Sequence, residues 1–279
     1  MVHSPSKRSR KKNIQSQKPH HRSTPPKDLF VWGIHSILEA FKASPHCVKE
    51  IFIEKEKKGQ RLEELLEIAQ QNGIPVTLGQ VTPGDTYRKY GFSEQENPQG
   101  VSARIIMPTL SLEELLGKVK SVTKPPLLLA LDSIQDPHNL GAIIRSAVAA
   151  GANGLILPKD RSASITGTVI KVSAGAAFHL DICRVTNLVN SFKILKEEGV
   201  WIFGTAKDSS QDVYEVDLTV PACLVIGSEG KGLRPLVAEH CDMNVSIPMH
   251  GSLDSLNASV AAGIILFETV RQRNAKYRE

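Results

Sequence analysis

The sequence predicts an α/β protein: a mostly parallel sheet covered by helices on both faces, preceded by a smaller α/β unit. Three observations carry that prediction. From residue 126 onward, LLLALDSI, GLILP, HLDICRV, VWIFGTA, ACLVIGSE and MNVSIPM are short apolar runs of strand length. Most are separated by helical patterns, namely NLGAIIRSAVAAG, TNLVNSFKILKEEG and RPLVAEHC. Strands without polar alternation are buried on both faces, and alternation with helices is the pattern of parallel crossovers.

Read in order, residues 1–27 form a tail that ends at STPPK, where proline stops any helix. Residues 28–107 form the small α/β unit. VWGIHSILEAF has helical spacing, CVKEIFIE alternates like a strand, and QRLEELLEIAQQNG is an amphipathic helix closed by Gly73. IPVTLG and GVSARIIMP read as further strands. Residues 108–125 are the expected linker, with a short helix over SLEELLGKVK and a break at TKPP. Residues 126–279 form the larger unit. The chain shows no internal repeat.

Composition narrows the function classes. Hydrophobic residues at 41% and charged residues at 23% describe a soluble globular chain. No uncharged apolar run approaches the ~18 residues that a bilayer demands. The basic tail has no apolar stretch of a secretory signal, and too few apolar residues for the amphipathic face of an organellar leader, so a cytoplasmic location is expected. The four cysteines lack zinc-ligand spacing and read as reduced thiols, and no metal is expected. Eight of the 34 basic residues fall in residues 1–27 and none of the 29 acidic ones does, which leaves the body at −3. A cationic arm on a near-neutral body fits a polyanionic partner, or a solubility tail.

Ligands of parallel α/β sheets bind beyond the carboxyl ends of the strands, and three unusual stretches fall there. In DPHNLGAIIR, Asn139 or Asp136 can cap a helix and Gly141 permits tight packing. If Asn139 stands just before that helix, its amide and the Arg145 side chain can converge. Arg145, in a nearly all-apolar segment, needs an anion. IGSEGKGLRP is neither a dinucleotide fingerprint nor a P-loop, because its glycines are spaced GxxGxG and Lys231 precedes Gly232. Its glycines allow a turn and close approach by a ligand, and Glu229 is a carboxylate at a strand end. IPMHGSLDSLNASVAAGI places Ser255 and Asn257 at the mouth of an apolar helix. His138 lacks any supporting partner for acid–base work, and the NAS sequon has no secretory context.

Together these stretches resemble the three signature motifs of the SPOUT methyltransferases, in the TrmH/SpoU branch that methylates ribose 2′-hydroxyls. NLGAIIR resembles the first, LVIGSEGKGL the second and IPMHGSLDSLNASVAAGI the third, in the family's order across residues 126–273. GIHSILEAF and ENPQGVSA resemble the ribosomal-protein-like RNA-binding domain that precedes the SPOUT domain. With KDRSA and RVTNL, the subgroup most similar is the bacterial one that methylates a guanosine of 23S ribosomal RNA. Two positions depart from it. Pro98-Gln99-Gly100 stands where HQG is usual, and Phe178 where an acidic residue is common.

The resemblance implies a trefoil knot in the C-terminal domain, a homodimer, and S-adenosylmethionine bound largely by backbone groups. Its contacts would fall at Thr205, Ala206, Gly227, Ile247, Met249 and Leu256. It also implies an acceptor site built by Asn139, Arg145, Glu229, Ser255 and Asn257, with large-subunit ribosomal RNA as partner and neither metal nor membrane involved. A direct displacement needs the ribose oxygen held in line and its proton redirected. A guanidinium keeps its proton in proteins, so Arg145 reads as a phosphate binder rather than a base. Two alternatives stand: the same chemistry on tRNA or another ribosomal site, or a non-catalytic RNA-binding assembly factor.

Overall fold

The structure, a computed structural model, describes residues 28–54, 57–79, 100–252 and 255–276. The basic tail and the Pro98-Gln99 departure lie outside the described residues. The first sheet has the order β1-β4-β2-β3, with β1 Asp28–Trp32, β2 Val48–Ile53, β3 Val76–Leu78 and β4 Val101–Ile106. Strand β4 pairs antiparallel with both β1 and β2, and β2 pairs parallel with β3. Helices α1 (Ile34–Ala43) and α2 (Gln60–Gln71) turn their buried residues, Ile37, Phe41 and Leu65 among them, to the core. Val31 and Trp32 were expected to open a helix and instead end β1. Gly33, at φ 91°, breaks the chain between strand and helix, a conformation that glycine adopts without strain.

The second sheet has six strands in the order β10-β8-β9-β5-β6-β7, every neighbouring pair parallel. They are β5 Leu127–Leu131, β6 Gly154–Pro158, β7 Ile182–Val185, β8 Trp201–Thr205, β9 Ala222–Ile226 and β10 Met243–Val245. Every residue of β5, β6 and β9 is buried, which is why these runs lack alternation. Helices α4 (Pro137–Ala149), α5 (Gly167–Val172), α6 (Leu188–Glu197), α7 (Pro235–Glu239) and α8 (Ala258–Lys276) complete this half. Gly141 lets α4 meet α5: a Cβ there would lie 2.7 Å from the Val172 side chain.

Between the sheets, α3 (Leu112–Val119) starts at a capping box in which Ser111 and Glu114 bond reciprocally. Its Leu115, Leu116 and Val119 share a buried cluster with Leu128, Ile156 and Phe192. Leu110 also bridges in parallel to Cys183, so part of the 108–125 stretch packs on the second sheet.

The two units pack together through α5 and the segment after it. A Cβ on Gly167 would lie 2.2 Å from the Trp32 ring and 2.3 Å from the Phe30 carbonyl. Gly175, at φ 82°, packs on Glu39, whose carboxylate pairs with His179 at 2.7 Å and with Lys42 at 2.7 Å. One hydrophobic cluster consequently contains Ile37 and Phe41 together with Leu129 and Leu140. Helix α8 is tied to the 216–220 segment by two consecutive residues. Gln272 accepts from the Leu218 N–H and donates to the Val216 carbonyl. The Arg273 guanidinium donates to the carbonyls of Pro125, Pro126, Leu218 and Val220 at 2.6–3.2 Å. Among the described residues, no helix is long and apolar enough to cross a membrane.

Candidate functional site

Because all six strands of the second sheet run the same way, the loops after β5, β8, β9 and β10 emerge at one end. Three of them meet through Asn257. That residue precedes α8 and caps it: the Ser259 N–H and hydroxyl both donate to Asn257 Oδ1, at 2.9 and 2.6 Å. A backbone N–H only donates, so the oxygen is identified and Nδ2 must face the other way. There it donates to Asn139 Oδ1 at 2.9 Å and to Glu229 Oε2 at 3.2 Å. One residue from each of the three sequence stretches thus forms a single cluster.

Asn139 reaches that cluster from within α4. The helix cap is Asp136, whose carboxylate accepts from the His138 N–H at 2.9 Å. The convergence of Asn139 with Arg145, which required Asn139 to stand before the helix, is therefore not what the fold provides. Six helical residues turn the chain through about 600° at ~3.6 residues per turn, so the two point to different sides. Arg145 is exposed, and it pairs with no carboxylate among the described residues. Ser255 is exposed just before the cap, and it makes no hydrogen bond among the described residues. His138 is exposed on the first turn of α4 and is not part of the cluster.

Glu229 is presented by a tight turn. The Ser228 N–H donates to the Gly232 carbonyl at 3.0 Å and the Gly232 N–H returns the bond at 2.8 Å. Gly227 is where this turn folds back on itself, since a Cβ there would lie 2.2 Å from the Gly232 carbonyl carbon. The close approach expected of a ligand at that glycine is made by the protein's own backbone. Gly230 and Gly232, at φ 75° and 64°, supply the left-handed corners.

Thr205 ends β8, Gly227 follows β9 and Ile247 follows β10, which are three adjacent strands. Ala206 and Met249 lie just beyond, and Leu256 stands beside Asn257. The Thr205 hydroxyl is committed to the Val225 carbonyl at 3.0 Å, and the Ala206 N–H to the Val245 carbonyl at 2.9 Å. Those two donors stitch the strands together and are not available to a ligand. What this rim offers instead is uncharged backbone and apolar side chains.

Two residues the sequence reading missed lie behind the cluster. Asp132, fully buried after β5, accepts from the Arg234 backbone N–H at 2.8 Å and from Arg234 Nε at 2.7 Å. The signal was present in the sequence: an aspartate closing five apolar residues must find a partner. The four cysteines are free thiols, and burial pushes those of Cys183 and Cys241 up to about 12. Among the described residues no group of His, Cys, Asp or Glu could hold a metal ion.

Comparison with known proteins agrees with this architecture. Residues 126–267 match the model of the SpoU rRNA Methylase family. The chain belongs to that family. Residues 30–80 match a second model, described as RNA 2'-O ribose methyltransferase substrate binding. The 23S rRNA (guanosine-2'-O-)-methyltransferase RlmB of Pseudomonas putida is 42% identical over 250 residues, covering 88% of this chain and 97% of that protein. The Escherichia coli protein of the same name is 41% identical, covering 88% and 99%. Among solved structures, the SpoU methyltransferase AviRb from Streptomyces viridochromogenes, in complex with the cofactor AdoMet, superposes with a TM-score of 0.74 at 30% identity, covering 89% of this chain and 91% of that one. SpoU membership agrees with both the parallel six-stranded sheet and the smaller sheet before it.

Proposed function

We propose that this protein methylates the 2′-hydroxyl of a guanosine ribose in 23S ribosomal RNA, with S-adenosylmethionine as methyl donor. The observation that carries the reading is the Asn139–Asn257–Glu229 cluster, drawn from three separate stretches of sequence in a chain that aligns along nearly the whole of the RlmB proteins. The rim formed by Thr205, Ala206, Gly227, Ile247, Met249 and Leu256 fits a cofactor held largely by backbone groups. The cofactor supplies a methyl group on a positively charged sulfur, already activated for transfer to oxygen.

The chain's own part is placement and proton handling. Asn257 uses both amide hydrogens and both oxygen lone pairs on Asn139, Glu229 and Ser259. It therefore orients the acceptor site and has no hydrogen bond left for the ribose. Glu229 keeps a free carboxylate oxygen's worth of acceptor capacity for the departing hydroxyl proton, and Asn139 keeps its amide hydrogens. Ser255 is an exposed hydroxyl beside them, and Arg145 is an exposed cation suited to an adjacent phosphate.

The same reading includes residues 1–27 as a basic RNA-binding tail, 28–107 as the substrate-binding domain, 108–125 as the connection and 126–279 as the methyltransferase domain. It includes a homodimer, a cytoplasmic location and a trefoil knot. The test is methyl transfer from labelled S-adenosylmethionine to unmodified ribosomal RNA, comparing wild type with Arg145→Ala. Alkali-resistant label at one guanosine of the large-subunit RNA, lost in the variant, is expected. Label on tRNA alone would move the target. No label and no bound cofactor would leave an RNA-binding assembly factor.

A further inference from the structure

Glu229 sits midway along the segment 226–234, and a single residue of another loop holds both ends of that segment. The Asp132 N–H donates to the Ile226 carbonyl at 2.8 Å, on the near side of the turn. The Asp132 carboxylate takes the Arg234 N–H at 2.8 Å and the Arg234 Nε at 2.7 Å, on the far side. Asp132 is completely buried, while the Arg234 side chain is 40% exposed. The Ser133 hydroxyl adds a long contact to Asp132 Oδ1 at 3.3 Å, and Ser133 itself is held at φ 63°. A non-glycine residue persists in that region only where its surroundings over-determine it.

Asp132 also leads directly into the loop whose cap, Asp136, starts the helix bearing Asn139. One buried carboxylate thus sets the spacing between the two loops that must bring Asn139 and Glu229 to Asn257. We infer that Asp132 is a positioning residue for methyl transfer: through Arg234 it pins the 226–234 turn, so that Glu229 stands in register with Asn257 and Asn139. Asp132 touches neither Asn139, Glu229 nor Asn257 by any hydrogen bond among the described residues, so its effect passes through the loop. The inference rests on the methyl-transfer reading above.

The variant that isolates it is Asp132→Asn, which keeps the shape and removes the charge that holds Arg234. Steady-state methylation of unmodified large-subunit RNA is measured together with peptide-level hydrogen exchange. A loss of at least about tenfold in kcat is expected, with the KM for RNA within about twofold of wild type. Faster exchange is expected in the 226–234 segment, with the remaining strands at wild-type rates. Unchanged kcat with a loosened loop would overturn the inference, as would an undisturbed loop. Faster exchange across the whole sheet would reduce Asp132 to a general stabilising residue and overturn it too. Should Asp132→Asn not fold, Arg234→Gln removes the Nε contact from the exposed side and keeps the backbone bond, with the same pattern expected. A wild-type protein that transfers no methyl group at all overturns the functional reading first, and the positioning role with it.

Discussion

Asn257 does two jobs with one amide, and a conservative change separates them. Aspartate at this position still accepts from the Ser259 N–H and so still caps α8. It no longer donates to Asn139 or Glu229, and it sets a second carboxylate beside the first. Asn257→Asp is expected to melt close to wild type while losing about 10²–10³ in kcat, the loss typical of a preorganised polar contact. Parallel thermal melts and rate measurements check this. A second residue-scale expectation concerns Glu268, buried on α8. Its hydrogen bond from Arg271, with help from Gln272, holds its carboxyl below the usual carboxylate range. Such a group stabilises the fold above the unfolded pKa of ~4.3, and that contribution disappears as pH falls through the lower folded value. Glu268→Gln is therefore expected to be less stable near neutrality and to show a flatter acid limb, the two curves converging as pH falls through the lowered folded value. Denaturant melts across pH measure it. At this scale the three stretches that hold Asn139, Glu229 and Asn257 were legible as polar, glycine-containing segments beyond apolar strands, whereas the site roles of those residues followed from the family resemblance. Asp132 was legible only as an aspartate in need of a partner, since that partner, Arg234, lies about a hundred residues away.

The 228–232 turn and the α3 cap are where single atoms decide whole elements. Gly227→Ala places a Cβ 2.2 Å from the Gly232 carbonyl carbon, so the turn must open. A loss of about 1–3 kcal/mol is expected in denaturant melts, the range for overpacking, with weakened S-adenosylmethionine binding by calorimetry. Ser111→Ala removes one half of a capping box and is expected to cost about 1 kcal/mol without touching activity. Strands β5, β6 and β9 and helices α2, α3, α4 and α6 were all readable from period and length. The start of the chain's first unit was not, because Val31 and Trp32 continue the helical spacing of Ile34, Ile37 and Leu38. Only the left-handed backbone of Gly33 reveals that a strand ends there. Helix α5 was missed for a related reason: six residues are too few to show a period.

At the scale of the whole molecule, a mostly parallel sheet preceded by a smaller one was legible and their relation was not. Composition and pattern separate 28–107 from 126–279, yet nothing in a one-dimensional reading announces that Gly167 and Gly175 are flat faces for Trp32 and Glu39. The strap across 216–220 was equally hidden. Arg273→Ala removes a cation bound to four carbonyls and is expected to destabilise the protein by about 2–4 kcal/mol, read from equilibrium unfolding. The tail offers a test of a different kind. Deleting residues 1–27 removes eight positive charges, and is expected to weaken RNA binding and flatten its dependence on salt.

The packing of the two units through α5 has one consequence of its own. The smaller unit is seated on helix α5 and the segment after it, with Gly167 against Trp32 and Gly175 against Glu39, so its place relative to the Asn257 cluster is set by packed contacts. On the proposed reading of that unit as the RNA-binding one, the distance from the RNA grip to the ribose acceptor is expected to be a fixed length, like the jaws of a caliper locked at one setting. Selection of the target nucleotide is then expected to depend on measurement along folded RNA.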